Sequence, residues 1–265
     1  GELSATQVGA LAASQIGGLS ATGLSALDAT QVSALSNTQI GGVTATQIRG
    51  LTATDVAELS ATQVGALGVS QIAALSATNV SALDATQAAS LSGTQLRALS
   101  TTQVQGLSTT DLGELSATQV GALSASQIGA LSTTNVSALD TTQVAALSTT
   151  QLRGLTNAQL GSLSTTDVGE LSATQVGALS TSQIGALGAT NLASLSTTQI
   201  GGLTASQIGG ISATTLSSLD ATQVGALSST QLRGVTATQL GGLSATDVGE
   251  LSATQVGALA ASQIG

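Results

Sequence analysis

The chain has 265 residues, thirteen acidic and four basic, with a formal net charge of −9, and it lacks Cys, His, Lys, Met, Pro, Phe, Tyr and Trp. Without His, Cys or Lys there is no ordinary general base near neutral pH, no thiolate, no soft metal ligand and no Schiff-base amine, so neither an enzyme nor a cofactor is expected. Four Arg spread over an acidic chain cannot track phosphates, which argues against nucleic acid, and the apolar residues stand singly between polar ones, which argues against membrane insertion.

From Leu3 onward the chain restarts every eight residues. Residues 3–10 read LSATQVGA, 11–18 LAASQIGG, 19–26 LSATGLSA and 27–34 LDATQVSA, and the register holds through 33 octads. The first position is almost always Leu, and the sixth is Val, Ile or Leu except at Ala88. The second is Ser, Thr or Asp in 29 of 33 octads, and the fifth is Gln in 24. This is the S/T-x-x-E/Q capping box, which satisfies free amides at a helix start, and the first and sixth positions are the two halves of a hydrophobic staple. Each octad is therefore expected to begin a helix.

These helices must be short. At roughly 100° per residue, an eight-residue repeat in one continuous helix would turn about 80° each time and spread Leu over every face. We expect helices of about six residues, with the next Leu and Ser forming a corner. Gly or Ala stands near each C-terminus, where Gly either relieves left-handed strain or lets a neighbour approach. The fourth position is Thr or Ser in every octad except at Ala158. That regularity suggests an inward or inter-coil hydroxyl contact; the alternative is a simple preference for the helix start.

Burying one Leu and one Val gains less than ordering eight residues costs, so an octad cannot fold alone and its neighbours must stack on it. The fold class that follows is all-α, a solenoid or superhelix of short capped helices, one per eight-residue repeat, around a narrow aliphatic core. The alternative is a β-solenoid, since Thr, Val and Ile favour strands. Against it, the two apolar positions are separated by odd numbers of residues, and an uninterrupted strand would point them to opposite faces.

The charges reveal a longer period. Asp28, Asp84, Asp140 and Asp220 take the second octad position, while Asp55, Asp111, Asp167 and Asp247 take the fifth and are followed by Glu58, Glu114, Glu170 and Glu250. Both sets are spaced 56, 56 and 80 residues apart. Seven octads thus form a higher repeat, starting near residues 3, 59, 115 and 171 and again at 251, with three extra octads around 195–218 in the last copy. About three octads per turn would keep the charged octads in one phase. Residues 1–17 recur letter for letter as 249–265. Residues 1–265 therefore read as a single continuous array, expected to be a segment of a longer one that natural duplication produced.

The octads LSATQVGA, LSTTQLRG and LTATQLGG resemble the octapeptide arrays of large bacterial surface proteins of the heme utilisation or adhesion type, and the resemblance covers the whole chain. It implies an extracellular or cell-surface location in a bacterium and a structural role as an extended rod, stalk or filament shaft. The expected partner is self, by stacking along the rod and by lateral association, with no nucleic acid, no membrane insertion and no small-molecule substrate. Nothing here would ligate heme iron in the usual way.

No catalytic or cofactor-binding residue is expected. The Asp-x-x-Glu pairs, Asp55 with Glu58, Asp111 with Glu114, Asp167 with Glu170 and Asp247 with Glu250, are weak Ca²⁺ candidates, because two carboxylates one helical turn apart offer oxygen ligands. Two are too few without further ligands from a neighbouring coil, and the plainer reading is helix-start acids with a solubilising Glu. Arg49, Arg97, Arg153 and Arg233 share the seventh position, as solvated charges or as partners for acids on an adjacent rod. The Thr and Ser columns raise a second functional reading, a repetitive binding module for Ca²⁺, glycan or ice.

Overall fold

The structure, a computed structural model, describes residues 3–264; Gly1, Glu2 and Gly265, which belong to the recurring terminal segments, lie outside the described residues. Octad 123–130 shows how each helix forms. Ser124 Oγ accepts a bond from Gln127 N at 3.2 Å, and Gln127 Oε1 accepts one from Ser124 N at 2.7 Å, so the capping box holds both ends of the first turn. The helix runs Ala125–Ala130, and Leu131 then leaves it in an extended conformation, at φ −58° and ψ 147°. That extended Leu and the following Ser make the corner.

The pattern repeats along the chain in helices of mostly five or six residues, and no strand occurs among the described residues. The fold is the all-α arrangement expected, not the β-solenoid. Irregular octads keep their helices: Ala21–Ser25 tolerates Gly23, Ala85–Ser90 tolerates Ala88, and Ala213–Leu216, which contains Thr215, is shortened to four residues. Where Ser is missing from the cap, the Gln half survives. Ala12 N, Gly68 N and Ala260 N still donate to Gln15, Gln71 and Gln263 at 2.7, 2.6 and 2.7 Å. At Gly188 the backbone takes φ 76° and ψ 169°, a conformation open to glycine alone, and the chain kinks within the helical stretch Thr181–Ala193.

The chain forms two compact units. One runs up to Leu131 and includes Ala138–Ala146; the other takes Ser132–Ser137 and everything from Leu147. Both are built alike, in a solenoid-like manner: each helix packs on the helix three octads further along. In the first unit Ala13–Gly17 packs on Asn37–Gly42 and Ala117–Ala122 on Thr141–Ala146; in the second, Ala173–Ala178 packs on Thr197–Gly202. The expected spacing of three octads is met in this pairing. The core is the predicted one, first-position Leu with sixth-position Val, Ile or Leu, as in Leu123, Ile128, Leu203 and Ile208, all buried.

Two local expectations are revised. Of the described residues, only Gly188, at the second position of its octad, has a positive φ, so the glycines near the helix C-termini do not relieve left-handed strain. Several permit close approach instead: a Cβ on Gly42 would lie 2.6 Å from Ala13 O, and one on Gly234 would meet Ala205 O still more closely. The fourth position is exposed in every described octad, from Thr6 to Ser262, so its hydroxyls make no inward contact. The geometry explains this, because the fourth residue lies about 200° around the helix from the buried sixth.

Candidate functional site: the glutamine ladder and the aspartate octads

A six-residue helix leaves most of its backbone groups without helical partners, four N–H at one end and four C=O at the other. The fifth-position Gln serves both kinds of end at once. While its Oε1 caps its own helix, its Nε2 reaches the neighbouring coil and donates to two carbonyls, 31 and 28 residues earlier. Gln39 donates to Val8 O at 2.9 Å and Leu11 O at 2.8 Å, and Gln127 to Leu96 O at 2.7 Å and Leu99 O at 2.8 Å. In the second unit, Gln231 donates to Ile200 O at 2.7 Å and Leu203 O at 2.9 Å. The carbonyls belong to the end of one helix and the corner after it. One amide therefore joins the start of a helix to the finish of another, one coil away.

These amides are buried. Gln127 is 2% exposed and Gln231 4%, which is tolerable for a polar group only because its hydrogen-bonding capacity is met. Shorter amides keep half of the bridge: Asn79 Nδ2 bonds Leu51 O at 2.9 Å and Asn191 Nδ2 bonds Leu163 O at 2.8 Å, each to the partner 28 residues back. Sequence reasoning found the capping role of Gln and missed this second one. Arginine supplies a related contact, with Arg97 Nε donating to Ala122 O and Arg153 Nε to Ala178 O, each at 2.8 Å. Both acceptors are the last residue of a helix, so these exposed side chains cap helix ends within their own chain.

At the fifth position of four octads the Gln is an Asp. Each carboxylate accepts from its own cap N–H, as Asp111 Oδ2 does from Ser108 N at 2.7 Å, and also from a serine 30 residues earlier. Ser25, Ser81 and Ser137 donate to Asp55, Asp111 and Asp167 at 2.5 Å, and Ser217 to Asp247 at 2.6 Å. A signal for this pair was present in the sequence: Ser precedes Asp by 30 residues in all four higher repeats, including the lengthened one. The bonds from Ser217 and then Ser244 hold the half-buried Asp247 carboxyl below its usual range. Asp140, at a helix cap and exposed, is lowered first by the Thr142 hydroxyl and then by the Gln143 backbone N–H.

The glutamates differ. Glu114 titrates above its usual range, chiefly through desolvation and then through repulsion from Asp111 and Asp84. Its Oε2 and that of Glu250 are shielded from water without a hydrogen-bond partner. The fold thus brings Asp84 towards the Asp111 and Glu114 pair, a neighbour that spacing along the sequence did not reveal. Among the described residues no three Asp or Glu lie close enough together to hold a metal ion. No helix of the described residues is long and apolar enough to cross a membrane.

Short capped helices joined by one repeated amide define a helical repeat protein. Residues 93–213 match the ALTTAQ repeat family in seven overlapping stretches, 93–125, 107–141, 121–149, 136–173, 144–181, 155–189 and 176–213. Successive stretches start 8 to 21 residues apart and overlap their neighbours. No curated protein and no solved structure matches the chain.

Proposed function

We propose that this protein is a structural element, an extended rod, stalk or filament shaft on a bacterial cell surface, and that it is not an enzyme. One observation carries the reading: the same Gln bridge recurs from coil to coil in both units, so the length of an array built this way is set by the number of octads. The Asp carboxylates and the Arg97 and Arg153 side chains are engaged in capping helices or in ties between coils. The likeness of the octads to arrays in heme utilisation or adhesion proteins supports the surface location and self-association along the rod.

Small-angle scattering on the chain and on versions lengthened by one higher repeat tests the shape. A rod gives a radius of gyration that grows linearly with octad number; a value near the ~18 Å of a globular chain of this length would contradict it. Protease shaving of intact producing cells tests the location. A binding module for Ca²⁺, glycan or ice is the second reading, favoured by one feature, the exposure of every fourth-position hydroxyl. Millimolar Ca²⁺ without heat in calorimetry, together with no glycan retention and no thermal hysteresis, would remove it.

A further inference from the structure

A Gln amide has two hydrogens to give to the coil beneath; an Asp carboxylate has none. At Asp55 the tie between coils therefore runs the other way, from Ser25 Oγ, and one bond stands where Gln127 makes two. The packing loosens at the same places. Asp55, Asp111 and Asp247 each line a small aliphatic cavity, of about 30, 20 and 20 Å³. Leu51, Leu107 and Leu163, which open the first three Asp octads, are half-buried, whereas Leu59, Leu115 and Leu171, which open the following octads, are buried. Glu114 and Glu250 add a shielded oxygen without a partner.

We propose that the four Asp octads, 51–58, 107–114, 163–170 and 243–250, are yielding joints, where a coil parts from the coil beneath it before any Gln-bridged coil does. The Ser 30 residues earlier is the latch that holds each joint closed. Whole higher repeats then act as the units that open, and the joints follow the same 56- and 80-residue spacing as the charges. Octad 59–66 provides the internal control. Gln63 sits over Ser33 at the same 30-residue offset and still donates to Val32 O at 2.8 Å and Leu35 O at 2.9 Å, so a serine beneath does not obstruct a Gln bridge.

Native-state amide hydrogen exchange on the full chain, read by mass spectrometry, tests the joints. Amides of the Asp octads should exchange roughly tenfold faster than those of the flanking Gln octads, about the effect of one hydrogen bond more or less between coils. Asp55→Gln should slow exchange in 51–58 by roughly tenfold, and Asp55→Asn, which removes the same charge but reaches one carbonyl as Asn79 does, should slow it less. Gln63→Asp should create a new fast octad at 59–66. Uniform exchange along the array would overturn the proposal. Equal slowing by Asn and Gln at residue 55 would also overturn it, because the joint would then be a matter of charge and not of the bridge.

Discussion

Replacing Gln127 by Met isolates the bridge from the packing. Met keeps the length and most of the volume of Gln while removing its donor and its acceptor, so the aliphatic core around the nearby Ile128 stays filled. Three bonds disappear: the one accepted from Ser124 N at 2.7 Å and those donated to Leu96 O and Leu99 O at 2.7 and 2.8 Å. At about 1 kcal/mol net for each, the loss is ~3 kcal/mol, and leaving Leu99 O buried without that partner pushes the figure upward. Gln127→Asn should cost less, because Asn79 and Asn191 each retain one bond to the neighbouring coil. Urea melts followed by circular dichroism measure both. The array behaves as a chain of nearest-neighbour interfaces, so the Met variant should also broaden the transition or split it in two. A destabilisation under about 1 kcal/mol with an unchanged single transition would refute the assignment of inter-coil cohesion to the amide.

Two neighbouring glycines should respond in opposite directions. Gly42→Ala drives a Cβ to 2.6 Å from Ala13 O and 2.8 Å from Ala13 Cβ, on the next coil, and should destabilise by about 1–3 kcal/mol, whereas Gly41→Ala meets nothing within 4 Å and should stabilise its helix by about 0.5–1 kcal/mol. Denaturant midpoints of the two variants check this, and shifts of the same sign would contradict the close approach of coils. The carboxylates should set opposing pH trends. The Asp247 carboxyl titrates below its unfolded value in the folded chain, so its contribution is complete above the unfolded value and lost as pH falls through the folded one. Glu114 is raised, so its protonation favours the fold: that contribution is present at low pH and disappears as pH rises through its folded value. Calorimetric Tm values between about pH 2 and pH 7 should show a weaker acid-side loss for Asp247→Asn and a higher neutral-pH Tm for Glu114→Gln. An unchanged pH profile in both would contradict the assignments.

The legible part of the fold was the part written within one octad. Ser124 and Gln127 are three residues apart, and Leu123 and Ile128 five, so the capping box and the buried pair could be derived from local spacing alone. What lay between coils was hidden, because the partner of a side chain depends on how many residues one coil takes, and no property of a single octad fixes that number. The pairing of Gln39 with Val8 and Leu11 is therefore a property of the coil and not of the octad. The Ser25 to Asp55 tie was readable in principle, as a fixed 30-residue offset repeated four times, but the charged residues drew attention to Glu58 as the partner of Asp55 instead. The fourth-position hydroxyls misled for a simpler reason. A constant small polar residue suggests a contact as readily as a helix-start preference, and in the fold it marks the face turned to water.

A density map that resolves side-chain amides, from crystals or from cryo-electron microscopy, tests the central claim most directly. The account predicts the Gln127 amide between two coils, with its nitrogen within about 3 Å of both Leu96 O and Leu99 O and its oxygen on Ser124 N, and a like inter-coil placement at the Gln octads that have a full coil beneath them, from Gln39 onward. Glutamines of those octads turned to solvent, or coils joined by backbone strand pairing, would contradict it.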